Sequence, residues 1–165
     1  GKESREGSFH QYLASLVFSA FTIEAYLNHV GAWLFKSWRE YERALNPMQK
    51  LALICERLDI KPDYGRPPFQ ILTTLLPFRN AVAHGKTETL SFDEVLPADE
   101  KSDEILHAWL EADWERFATL ENAEAARRDI RALVEQMHKQ AKFPEHLNFP
   151  FMDYGQSMSG DYSCN

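Results

Sequence analysis

The chain has 165 residues, of which 44% are hydrophobic and 26% charged, with a formal net charge of −7. That is one domain's worth of chain, long enough for a proper apolar core, and its 13% aromatic content argues against disorder over most of its length. The acidic balance excludes a broad nucleic-acid-binding surface, which announces itself as a basic excess. Any RNA contact must be local, made by a few arginines and lysines in a cleft. No run of about 18 uninterrupted apolar residues exists, so no membrane-spanning helix is expected. Residues 1–7 do not read as a signal peptide. Cys55 and Cys164 have no metal-type spacing, and so sparse a use of cysteine fits a reducing, cytoplasmic compartment.

In chain order, Phe9, Leu13, Leu16, Ala20, Ile23, Leu27, Val30 and Leu34 recur at alternating steps of four and three. This sustained apolar stripe predicts one long helix over residues 8–41, ended by Asn46-Pro47. Pro47 suits the first turn of a second helix, with Met48, Leu51, Ile54, Cys55 and Leu58 as its inner face. Residues 61–68, with three prolines and a glycine, are a loop by composition. A third helix is predicted over 69–84, with Ile71, Leu72, Leu75, Leu76, Phe78 and Val82 on its apolar side. Pro77 should kink or restart it, and Gly85 is placed to terminate it in the left-handed conformation.

Residues 86–102 read as a connector, with a short extended segment over 87–92. Ile105, Leu106, Trp109, Leu110, Trp114 and Phe117 have helical spacing with heavy aromatic content. Residues 120–140 form an amphipathic helix with Ile130, Leu133, Val134 and Met137 inward. Whether 103–140 is one bent helix or two stays open. The prediction is an all-α protein: an up-and-down helical bundle over residues 1–142, followed by an irregular aromatic tail over 143–165. Exposure of so many aromatics in that tail would be costly, so it should pack on the bundle or on a partner.

The chemistry concentrates in Arg79-Asn80-Ala81-Val82-Ala83-His84. Asn80 and His84 are i,i+4 and share a helix face. Arg79 lies roughly 140° from His84, but its length lets it swing round. Arg79 offers a forked, permanent cation suited to phosphate. His84 can exchange a proton near neutral pH, and Asn80 can orient a phosphate oxygen or the imidazole. Together they suit transfer at phosphorus without a metal. The same residues also admit a structural role: His84 as a C-terminal cap, and Arg79 as the partner of an acid.

An Arg-Asn-Xaa3-His sequence at a helix end, in a helical domain whose long first helix carries Ile23-Glu24-Ala25-Tyr26-Leu27-Asn28, resembles the HEPN superfamily (higher eukaryotes and prokaryotes nucleotide-binding). The resemblance covers residues 8–140 and leaves the tail outside. It implies a homodimeric helical bundle in which two motif helices face each other across a cleft. It implies a metal-independent endoribonuclease of the toxin or defence kind, needing no cofactor, with a cognate antitoxin or nucleotidyltransferase as partner. His84 would be the acid/base, Arg79 the phosphate ligand and Asn80 the orienting group. Cleavage would proceed by attack of the RNA's own 2′-hydroxyl, leaving a 2′,3′-cyclic phosphate. The family also contains non-catalytic members, so the alternative is a helical module for dimerisation, partner binding or binding of a nucleotide or other anion.

Glu24 and Asn28 interrupt a second stripe formed by Val17, Phe21, Gly31 and Phe35, which puts a carboxylate and an amide at the edge of the core. A partly buried glutamate needs a partner, and Arg79 is the attractive one. Lys86 could add charge for a phosphate, and His29 could line the same cleft. Arg127, Arg128 and Arg131, interleaved with Glu124, Asp129 and Glu135, read as a mixed solvated face. His107, His138 and His146 look isolated, and no His/Cys pattern suggests zinc.

Overall fold

The computed structural model describes residues 2–85 and 112–143. Among these residues every regular element is a helix and there is no strand. The helices are α1 (Lys2–Leu34), α2 (Trp38–Ala44), α3 (Pro47–Arg57), α4 (Leu72–His84), α5 (Asp113–Phe117) and α6 (Leu120–Ala141). They pack as an all-α bundle. The expected extended segment over 87–92, Lys86, the aromatic run over 105–110, Cys164 and the tail from 144 lie outside the described residues.

α1 is the spine, packing along α6 and α3 and, over smaller seams, against α2 and α4. Its predicted stripe is the core: Leu16, Ala20, Ile23, Leu27 and Val30 are buried, while Phe9, Leu13 and Leu34 pack at its margin. From α6 the core receives Ala126, Ile130, Leu133, Val134 and Met137, and from α3 Leu51, Ile54 and Cys55. Both groups keep the three-and-four spacing that brings one helix face onto its neighbour.

The first helix differs from its predicted span. The regular helix ends at Leu34, and α2 starts afresh at Trp38. The cause is Trp38, which folds back and is 4% exposed. Its indole lies directly on Gly31, where an added Cβ would come within 2.2 Å of the ring. A straight continuation would carry Trp38 away from this shelf. Phe35 stacks on the same indole at 5.8 Å between centroids, so burying the ring outweighs three residues of regular helix.

α3 begins where proline predicts, at Pro47, with Asn46 as its N-cap. The Asn46 carboxamide accepts from the Gln49 backbone amide, and Gln49 accepts in return from the Asn46 amide, each at 3.0 Å. α4 is regular from Leu72, preceded by turns that include bonds from Leu72 to Phe69 and from Thr73 to Gln70. Pro77 does not restart the helix; α4 runs through it. Pro77 is exposed, so the carbonyl that loses its usual donor at Thr73 faces the solvent side. Of the stretch 103–140, residues 103–111 lie outside the described residues, and the remainder forms two helices, α5 and α6. Thr119 caps α6 by accepting from the Asn122 amide at 3.2 Å, while the Asn122 side chain donates to the Phe117 carbonyl at 2.9 Å.

Candidate functional site

α4 carries the motif on its last two turns. Leu75, Leu76 and Phe78 hold the helix in the core, which fixes the rotation of the residues that follow. His84 is the last helical residue, and Gly85 ends the helix at φ 52, ψ 41, the left-handed cap that glycine adopts without a Cβ penalty. Asn80 and His84 are both exposed and lie one turn apart on a common face. His84 makes no hydrogen bond among the described residues, so it does not serve there as a side-chain cap of the carbonyls at the helix end.

Arg79 points differently. Its guanidinium forms an ion pair with Glu24 of α1 through Nη2, at a partly buried position where the two side chains are 17% and 25% exposed. Nη1 donates to the Asn80 Oδ1 at 2.7 Å. Nε is buried and has no hydrogen-bond partner among the described residues. Glu24 is thus the acid on which Arg79 rests, as the helical phase of α1 suggested. A half-buried pair of this kind is worth more than a solvated one, and removing one partner leaves the other charge poorly solvated. Asn28, one turn beyond Glu24, is not part of this contact. Its Oδ1 accepts from Lys50 Nζ of α3 at 3.0 Å.

His29 does not join the motif. It stacks on Phe143 at 5.1 Å between centroids, and His138 stacks on the same ring at 4.8 Å. His138, which looked isolated in sequence, bonds Tyr26 across the α1–α6 seam, its Nδ1 lying 3.0 Å from the tyrosine hydroxyl. Burial pushes the Tyr26 hydroxyl well above its usual range, so it stays protonated and donates. Burial, then the charge of His29, lowers the pKa of His138. Trp33 closes this end by donating from Nε1 to the Ala141 carbonyl at 3.3 Å. The pairing joins residues 112 apart in sequence, and neither local pattern contains a signal for it.

The arginines of α6 line a cleft of about 630 Å³ between α1 and α6, with Ser15, Phe18, Ser19, Thr22, Glu124, Arg127, Arg128, Ile130 and Arg131 as its walls. Arg128 pairs with the buried Asp129 at 2.9 Å, and Arg131 with Glu135 at 2.8 Å. This mixed face sits on the side of α1 opposite Glu24, by helical phase, and is separate from the motif. Among the described residues no group of three or more His, Cys, Asp or Glu side chains could hold a metal. No helix there is long and apolar enough to cross a membrane.

No protein-family model, no curated protein and no solved structure matches the chain.

Proposed function

We propose that the chain is a metal-independent endoribonuclease of HEPN type, acting as a homodimer in the reducing interior of the cell, on RNA and in partnership with a regulating protein. The observation that carries this reading is the split presentation of the motif. Asn80 and His84 stand exposed on one face of α4 while Glu24 and Asn80 hold the Arg79 guanidinium beside them. In this reading His84 takes the proton of the attacking 2′-hydroxyl and returns one to the leaving 5′-oxygen. Arg79 supplies the charge that stabilises the equatorial phosphate oxygens, and Asn80 orients one of them.

A second reading has one observation in its favour. The Arg79 fork is already engaged by Glu24 and Asn80, as it would be in a helical module where the pair serves stability. Incubation of a mixed RNA with the protein in excess EDTA, beside His84→Ala, separates the two. The ribonuclease reading expects cleavage with cyclic-phosphate ends by the parent alone, and an unchanged melting temperature in the variant. Absence of cleavage by both proteins over several RNAs, together with a large stability loss in Arg79→Ala, establishes the module instead.

A further inference from the structure

α1 carries a second stripe, on the side facing away from the core. Gln11, Ala14, Phe18, Phe21, Ala25, Asn28 and Ala32 recur at alternating steps of three and four. By helical phase this row lies nearly opposite the buried row of Leu16, Ala20, Ile23 and Leu27. All of its members are exposed except Asn28, which is half-buried; Phe18 and Phe21 are 67% and 48% exposed. A helix lying on the surface of a globular protein normally turns charged residues to water. Between Gly7 and Phe35, however, Glu24 is the sole Asp, Glu, Lys or Arg, and Arg79 neutralises it. A three-and-four spacing that runs along two opposite faces of one helix is the pattern of a helix packed on both sides.

The order of residues along the outer row indicates what covers it. The row is nearly palindromic about a point between Ser19 and Ala20. Reversing it sets Phe18 against Phe21, Ala14 against Ala25, and Gln11 against Asn28. An antiparallel copy of the same helix would therefore match large with large, small with small, and carboxamide with carboxamide. Asn28 spends its oxygen on Lys50, which leaves its amide nitrogen for the facing Gln11 oxygen. Two chains of charge −7 repel, and this uncharged face lets them meet without apposing their acids. A two-fold interface must be self-complementary in just this way.

We propose that two copies of this chain associate through antiparallel packing of their α1 helices, with the two-fold axis between Ser19 and Ala20. The proposal names the seam of the homodimer on which the ribonuclease reading rests, and it is argued from the α1 face alone. It has one geometric consequence for the site. A two-fold axis perpendicular to the plane of an antiparallel helix pair keeps like flanks together. Both Glu24–Arg79 pairs would come to the same side of the seam, offset along it by about 14 Å at 1.5 Å per residue.

The register is testable by cross-linking. In a Cys164→Ser background, chains carrying Ala14→Cys and chains carrying Ala25→Cys are mixed, and each is also kept alone, all under mild oxidation. The buried Cys55 stays out of reach. The mixture should give covalent dimers containing one chain of each kind, several-fold more than either chain alone. Light scattering should show the parent at twice the monomer mass across the micromolar range, and Phe18→Glu and Phe21→Glu at half that mass with unchanged helical circular dichroism. A monomeric parent, dimers that persist in both Phe variants, or cross-linking without preference for the mixed pair would each overturn the proposal. A monomeric parent would also remove the homodimer on which the ribonuclease reading depends, whereas a dimer that persists in both Phe variants or cross-links without the mixed preference would overturn the α1 seam alone.

Discussion

At the scale of single residues, ionisation state follows from what each side chain touches. His138 shows this most directly. Its imidazole packs between α1 and α6, bonded to Tyr26 and stacked on Phe143. Burial disfavours the imidazolium, and the neighbouring His29 disfavours it further, so the folded pKa lies below the ordinary value of 6.5. A group whose folded pKa is depressed binds fewer protons in the native state than in the unfolded chain. Its contribution is therefore complete above the ordinary histidine range and is lost as the pH falls through and below about 6.5. The melting temperature should drop on going from pH 7 toward pH 5. In His138→Gln, which keeps a group able to bond Tyr26, that drop should be shallower. An equal slope in parent and variant would place the acid sensitivity elsewhere. Cys55 follows the same logic with the opposite sign: burial raises its thiol to about 11, which keeps it protonated and unreactive in the folded chain.

At the scale of elements, periodicity carried most of the fold. The alternating stripe of α1, the inner face of α3 and the inward residues of α6 each follow from spacing alone, because a helix buries whatever lies on one side. Punctuation was equally legible where it acts locally, as at Asn46-Pro47 and Gly85. The break at residues 35–37 was not legible, because its cause is a contact rather than a local preference. Nothing in the propensity of Phe35, Lys36 and Ser37 forbids helix. The deciding fact is the empty space above Gly31 that receives the Trp38 indole. The Tyr26–His138 bond was hidden for the same reason, since it joins helices far apart in sequence. The contact of Glu24 with Arg79 could be anticipated, because an acid at a core edge requires a cation and the motif helix supplied one.

The Gly31 contact yields a prediction at this scale. Alanine is favoured over glycine inside a helix by about 1 kcal/mol. Its methyl group would overlap an indole that Phe35 and Tyr41 hold in place, and overpacking of this kind costs about 1–3 kcal/mol. The second effect wins, because Trp38 is nearly enclosed and its ring cannot retreat without losing its burial. Gly31→Ala should lower stability by on the order of 1 kcal/mol, seen as a melting temperature a few degrees lower, with tryptophan emission shifted to the red. A rise in melting temperature would mean that α2 moves away freely and that the indole does not set the break.

At the scale of the whole molecule, the acidic balance and the proposed substrate pull against each other. A chain of net charge −7 repels a polyanion at long range. Two of the three arginines lining the α1–α6 cleft are tied to carboxylates, and Arg79 is tied to Glu24, so these three are not free to replace counterions on RNA. Affinity that rests on phosphate neutralisation falls with salt in proportion to the number of phosphates contacted, with a logarithmic slope of about −0.7 per contact for single strands. A site built on Arg79 from each of two subunits, with one or two lysines beside it, should therefore give a total slope of only about −1 to −3. The measurement is titration of a short single-stranded RNA with the His84→Ala protein, which cannot consume the ligand, at several salt concentrations. A shallow slope with weak affinity fits a local cleft. It also assigns discrimination to the geometry of the motif, because charge attraction supplies little of the binding. A slope as steep as about −6 would need more cations than the end of α4 supplies, and would move the RNA contact away from it.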